Sequence, residues 1–376
     1  TMEADGRVLA QPQYSDLDVP PLDNTSMDGY AVRCADVPAA GTRLPVSQRI
    51  PAGSAGAPLA PGTAARIFTG APIPRGADAV VMQELCEHGD HGVVINHLPR
   101  PGEWIRRAGE DIRRGARILD AGARLRPQEL GLAASVGLAR LPVFRRPRVA
   151  LFSTGDELVM PGQPLPAGAI YNSNRYVLQG LLRRAGCLVS DLGIVPDRLD
   201  ATRAALREAA GGHDLILTSG GVSVGEEDHL RPAVQAEGEL DLWKIAIKPG
   251  KPLALGRIGR GAQPAAFVGL PGNPVSSFVT FALLVRPFVL RLQGVGDVTP
   301  AALELRADFD WLKPDPRREF LRAKRNERGG LDLFPNQSSG VLTSTVWGDG
   351  LVDNPPGRAI RAGDAVRFLP FSDLLN

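Results

Sequence analysis

From residue 147 to 293 the chain repeats one rhythm four times: an apolar run of strand length, a loop, and a helix-forming stretch. "RVALFST" leads through "STGDE" to "NSNRYVLQGLLRRAG", with Asn172 or Ser173 as N-cap and Gly186 as stop. "CLVSDLGIV" leads through "VPD" to "LDATRAALREAAGG", and "DLILTSG" leads through a glycine loop to "EDHLRPAVQAEG". "AAFVGL" passes through "LPGNP" into "VSSFVTFALLV". Such alternation predicts a mainly parallel sheet covered on both faces, a three-layer α/β/α domain. Ligands of such sheets sit at the carboxyl ends of the strands.

The flanks read differently. Before residue 147, short apolar runs broken by Gly and Pro ("RIFTGAPIP", "ADAVVMQEL", "GVVINHL") predict a β-rich region. "RPQELGLAASVGLA" (126–139) predicts one helix opened by Pro, and "PVFRRPR" a linker. After residue 293, "DFDWL", "REFLRAKR", "LDLFP" and "DAVRFLPF" predict the short strands of a small β-barrel-like domain. The total of 376 residues suits two to three domains.

The four loops after the central strands collect the chemistry. "LTSGGVSVGEEDH" (217–229) combines Gly220, Gly221 and Gly225, which permit close backbone approach to an anion, with Glu226, Glu227 and Asp228, which repel one. In "GLPGNP" a Pro near the first helical position leaves the next N–H groups aimed outward, a second anion seat. Glu157 and Asp197 join Asp228 on the same rim. Each acid alone is explained as a first-turn complement to a helix dipole. Together with two phosphate seats they suit a divalent cation, since Mg²⁺ takes one or two carboxylates plus phosphate oxygens and waters. Only five of the 43 basic residues are Lys, and three of those fall within eight residues, in "WKIAIKPGK". On one extended strand Lys244 and Lys248, four apart, would share a face and neutralise oxyanion charge.

Other classes fit poorly. The net charge is only +2 with scattered basic residues, against a nucleic-acid surface. The longest apolar run, Phe278 to Val285, is too short for a membrane span. Cys34, Cys86 and Cys187 form no CxxC, which fits a reducing cytoplasm. Cys86, His88, His91 and His97 match no tight zinc spacing and read better as a hairpin tip.

Seven motifs, in order, carry a resemblance. "PPLDNTSMDGYAVR" (20–33), "RIFTGAPIPRGADAVV" (66–81), "RAGEDIRRG" (107–115), "LFSTGDELV" (151–159), "LTSGGVSVGEEDH", "WKIAIKPGKPLALG" (243–256) and "GLPGNPVSS" (269–277) together resemble the molybdopterin molybdenumtransferase family, of the MoeA and gephyrin E-domain type. The resemblance implies molybdate insertion into adenylylated molybdopterin, with Mg²⁺-dependent cleavage of the phosphoanhydride and release of AMP. It implies a cytoplasmic homodimer with an active site shared between subunits, and transient contact with the adenylyltransferase that supplies the substrate. It implies a linking domain at 1–20 and 112–146, a β-rich inserted domain at 21–111, the α/β domain at 147–293 and a C-terminal β domain at 294–376.

Carried over by motif, Asp28, Asp111, Asp228, Lys244 and Lys248 are the catalytic candidates, and Glu157, Asp197 and Asp228 the metal candidates. Thr69, Ser219, Gly220, Gly221, Ser223, Gly225, Pro271, Gly272, Asn273, Pro274 and Ser344 are the substrate-binding candidates. Thr25-Ser26 stands where the family often has Ser-Ala, and "DGLVDNPPG" is unlike the family's apolar strand. The family's N-terminal helical segment is largely missing, which would weaken dimerisation. Two rivals remain: the sister adenylyltransferase, whose Gly-Gly-Thr-Gly loop does not stand at 220–225, and a non-catalytic molybdopterin-binding scaffold.

Overall fold

The computed structural model describes residues 1–222, 229–259 and 263–375, with Leu242 and Trp243 described by their backbone alone. The chain forms two compact units, Thr1–Asp5 with Leu9–Pro142, and Gly6–Val8 with Val143–Asn376.

The first unit is β-rich. Its main sheet orders Val46–Ile50, Ala64–Ile67, Gly29–Val32 and Ala79–Met82. Alternation sends Tyr30 and Val32 into one core with Val81 and Ile95, and Ala31 into another with Ile50 and Ile67, so both faces are buried. The histidine-bearing segment is a hairpin, Cys86–Gly89 against Gly92–Ile95, as its Gly-Asp turn predicts. The helix opened by Pro127 runs Pro127–Ser135.

The second unit holds the alternating domain. Its strands and helices are β1 (Arg148–Thr154), α1 (Ser173–Arg184), β2 (Leu188–Val195), α2 (Leu199–Ala210), β3 (Leu215–Ser219), α3 (Leu230–Glu237), β4 (Gly238–Lys244), β5 (Pro252–Ile258), β6 (Ala265–Leu270) and α4 (Pro274–Leu292). The sheet order is β2-β1-β3-β6-β5-β4. β2, β1, β3 and β6 are parallel, while β5 and β4 continue the edge antiparallel. One face packs Leu151, Leu217 and Val268 against α1 and α4; the other packs Phe152, Ile216 and Phe267 against α2 and α3. Strands buried on both faces are apolar along most of their length, and β3 (Leu-Ile-Leu-Thr-Ser) is buried throughout, its polar residues Thr218 and Ser219 confined to the carboxyl end. α4 is longer than its central apolar run. Its mean hydropathy of 1.6 reflects a core helix, with Val275, Val279, Ala282 and Val289 buried in the first of these cores.

The remaining strands are β7 (Leu303–Ala307), β8 (Arg318–Arg325), β9 (Gly330–Leu333), β10 (Gly350–Asn354) and β11 (Ala365–Pro370). They close a five-stranded barrel in the order β8-β9-β7-β11-β10, with β10 returning to β8. "DGLVDNPPG" contributes β10, whose five residues are all buried; Asp353 is tolerated there because Arg318 pairs with it at 2.6 Å. "DFDWL" is not a strand. The strand is "LELRA", just before it, and Trp311 makes only an isolated bridge to Ile360. β7 alternates weakly, with only Ala307 fully buried, so its pattern gives little strand signal.

The two lysines do not share one extended strand. β4 ends at Lys244, opposite Pro252, which has no N–H to extend the ladder. The chain then turns, and Ile247–Lys248 pairs in parallel with β8 of the barrel.

Candidate active site

A cavity of about 730 Å³ opens at the carboxyl ends of the parallel strands. Thr154 ends β1 and is followed by Gly155, whose φ is +141°. A Cβ at 155 would lie 2.5 Å from Glu157 Oε2, so the bare backbone is what seats that carboxylate. Asp197 lies just beyond β2, its N–H donating to Asp156 Oδ1 at 3.2 Å. β3 delivers Ser219, Gly220 and Gly221. Both glycines have positive φ, +92° and +64°. A Cβ on Gly220 would collide with Thr154 O, and one on Gly221 would lie 2.7 Å from Thr154 Oγ1. β6 delivers Pro271, Gly272, Asn273 and Pro274.

Two helix N-termini face this space. Asn172 caps α1, its Oδ1 accepting from Arg175 N, and Asn273 stands at the N-cap of α4 ahead of Pro274. Their free N–H groups and dipoles favour an anion. Asn174 Nδ2 donates to Gly272 O at 2.7 Å and ties the two helix starts together. Among the residues lining the cavity, Thr154 Oγ1, Asn172 Nδ2 and Asn174 Oδ1 are buried without a hydrogen-bond partner among the described residues. Buried polar atoms are rarely left so; three around one cavity mark a place built for a polar ligand. Among the described residues the lining holds no Lys or Arg, and its acids are Glu157 and Asp197. Anion seats beside two carboxylates suit phosphate oxygens joined to a hard divalent cation. Among the described residues no three His, Cys, Asp or Glu side chains cluster as a preformed cage. The two described rim carboxylates fit a hard cation that also takes ligands from substrate and water.

The structure thus brings together Glu157, Asp197, Ser219, Gly220, Gly221, Pro271, Gly272, Asn273 and Pro274. Ser223, Gly225 and Asp228 lie outside the described residues. Lys244, Lys248 and Ser344 are not in the cavity lining. Lys244 is exposed. Lys248 Nζ lies 3.3 Å from both Asp315 Oδ2 and Glu319 Oε1. Hydrogen bonds from the Arg317 side chain and backbone, and then from Lys248, hold the Asp315 carboxyl far below the usual range. Ser344 is fully buried; its Oγ donates to Val341 O at 2.6 Å and accepts from Arg322 Nε at 3.1 Å.

Thr154, Asn172, Asn174 and Gly340 of the lining escaped sequence reasoning. The polar run "YNSN" before an apolar helix signals a cap, and only the fold shows that the same asparagines face a ligand space. Arg322 also escaped it. Its guanidinium is buried and, among the described residues, bonds only to neutral acceptors, Ser344 Oγ, Phe320 O and Ser338 O, and burial pushes its pKa down to about 10. It holds the loop that brings Gly340 to the cavity.

In the first unit, Asp28 Oδ1 accepts from Thr69 N and Thr69 Oγ1, both at 2.7 Å. The Thr69 backbone N–H first, and its hydroxyl next, hold the Asp28 carboxyl below its ordinary range. Thr25 Oγ1 donates to Met27 O at 2.6 Å and accepts from Met27 N at 3.1 Å, bracing the turn before Asp28; threonine at this position supplies the bracing hydroxyl. Asp111 is exposed, its N–H donating to Val19 O.

Comparison with known proteins matches residues 1–137 to the MoeA N-terminal region (domain I and II), 150–291 to a probable molybdopterin binding domain and 304–371 to the MoeA C-terminal region (domain IV). The molybdopterin molybdenumtransferase of Haemophilus influenzae is 40% identical over 99% of this chain and 93% of its own length. The chain belongs to the molybdopterin molybdenumtransferase family. The Nostoc member is also 40% identical, covering 97% of this chain and 86% of its own, and the Bacillus subtilis member 35%, covering 96% and 87%. Two crystal structures of a molybdopterin biosynthesis MoeA protein from Pyrococcus horikoshii superpose with TM-scores of 0.80 and 0.84, at 33% and 27% identity, each covering 98% of this chain and 93% of the other. In this molybdenumtransferase-family chain the β1, β2, β3 and β6 loops fall in the part matched as molybdopterin binding. Asp28, Thr69 and Asp111 fall in the N-terminal part, and Asp315 and Glu319 in the C-terminal part.

Proposed function

We propose that this chain inserts molybdate into the dithiolene of adenylylated molybdopterin, cleaves the phosphoanhydride and releases AMP. The observation that supports this best is the cavity itself: two helix N-termini, a glycine turn, two carboxylates and three unpartnered buried polar atoms around about 730 Å³. In this reading the Gly221 N–H and the free N–H groups of the α1 and α4 starts bind the phosphates, while the Gly220 N–H, donated to Leu270 O at 3.1 Å, fixes the turn. Asn172 Nδ2 donates to a substrate acceptor, and Asn174 Oδ1 and Thr154 Oγ1 take substrate donors. Glu157 and Asp197, with Asp228, hold Mg²⁺, which supplies charge neutralisation at the phosphoanhydride when bound. Lys248, fixed by Asp315 and Glu319, and Lys244 offer positive charge to the oxyanion. Asp28, anchored by Thr69, and Asp111 serve the site of the partner subunit in a homodimer. Three free thiols fit a reducing cytoplasm, where the chain meets the adenylyltransferase that makes its substrate.

The test is AMP release from adenylylated molybdopterin. Release that requires both Mg²⁺ and molybdate is expected. Tight binding of the substrate with no AMP release under any combination would overturn the transferase reading in favour of a scaffold.

A further inference from the structure

The first unit carries a second concavity, of about 570 Å³, whose polar lining is Tyr30, Arg49, Arg66, Gln83, Cys86 and His88. Arg49 and Arg66 stand directly opposite each other on neighbouring parallel strands, and Tyr30 is paired with Arg66 on the next. Like charges placed opposite across a sheet repel. Both guanidiniums sit against the Phe68 ring, 4.4 and 4.6 Å from its centroid, and Arg66 also lies 5.2 Å from the Tyr30 ring centroid. Aromatic contact holds the two forks in place without neutralising them. Arg66 gives its hydrogen bonds to uncharged acceptors, Gly29 O and Gln83 Oε1. Among the described residues no carboxylate lines the concavity, and neither guanidinium is in an ion pair. The acids nearest in sequence bond to neutral groups instead, Asp28 to Thr69 and Glu84 to Gln83 Nε2 at 3.4 Å; Asp28 feels the Arg66 charge without touching the guanidinium. Tyr30 OH and His88 Nδ1, 3.4 Å apart, add further polar groups.

We propose that this concavity binds a tetrahedral oxyanion dianion, as free molybdate or as the phosphate of a nucleotide. Two pinned guanidinium forks with no carboxylate in contact match that chemistry, because Arg pairs bidentately with such oxygens. The volume admits an oxyanion with or without an attached group. None of the lining residues is assigned above to the transfer reaction, so the site is additional to it.

The experiment is calorimetric titration of the full chain with sodium molybdate, with AMP and with sodium sulfate, for the wild type, Arg49→Ala and Arg49→Lys. Arg49 is exposed, so its replacement leaves the core intact, and circular dichroism checks this. Binding in the cavity of the second unit is common to all three proteins and cancels in the comparison. The expected result is that Arg49→Ala loses one binding event per chain, or weakens it by roughly tenfold or more, while Arg49→Lys retains part of it. Loss with molybdate and sulfate assigns the site to inorganic dianions, and loss with AMP alone assigns it to a nucleotide phosphate. Identical isotherms for wild type and Arg49→Ala with all three ligands would overturn the proposal.

Discussion

Gly220 and Gly221 show how little freedom the site leaves at single positions. Each has a backbone that a side chain strains and a Thr154 atom where a Cβ would go. Gly220→Ala should therefore cost about 2 kcal/mol of stability. It should also cut AMP release at least tenfold, because the turn that aims the backbone N–H groups moves; a thermal melt and a single-turnover assay check both. These glycines were legible in the sequence, since a Gly-Gly after an apolar run has few other uses. The unpartnered atoms of Asn172 and Asn174 were not, because capping accounts for such residues until the opposite loop is seen 98 residues away, where Gly272 O meets Asn174.

At the scale of elements, the alternating strands and helices followed from hydrophobic pattern, because strands buried on both faces leave no ambiguity of period. The pattern failed where burial is one-sided or partners are distant. β7 exposes most of its residues, and the sequence pattern places this strand too late in the chain. The lysine segment read as one strand and is split between sheet and barrel, a division set by the pairing of Lys248 with Glu319, 71 residues on. That pairing locks a central-domain lysine to a fully buried glutamate, which also accepts from Trp311 Nε1 at 2.8 Å. Glu319→Gln should lower stability by about 2 kcal/mol through the loss of charged hydrogen bonds. It should slow AMP release by an order of magnitude if the barrel holds Lys248 for the reaction. An unchanged rate in a folded variant would leave the barrel a purely structural partner.

Across the whole molecule, stability should depend on pH through the buried Cys187 thiol. Burial, with a smaller contribution from Asp214, lifts the Cys187 pKa from an ordinary 9.0 to about 12. The folded chain therefore holds this proton more tightly than the unfolded chain. The resulting stabilisation is complete below pH 9 and is lost as the pH rises toward 12. Urea midpoints should fall above pH 9, and less steeply in Cys187→Ala; parallel slopes would contradict the assignment. The three-part family match spans both compact units, and the seven motifs fall in both. In the proposed function the cavity at the strand ends holds the reacting phosphates with a cation on Glu157 and Asp197. Its most direct test is an Mg²⁺ titration of AMP release, wild type against Glu157→Gln/Asp197→Asn, at fixed molybdate. The double substitution should raise the Mg²⁺ requirement by roughly tenfold or more while substrate still binds. Superimposable titrations would contradict the account.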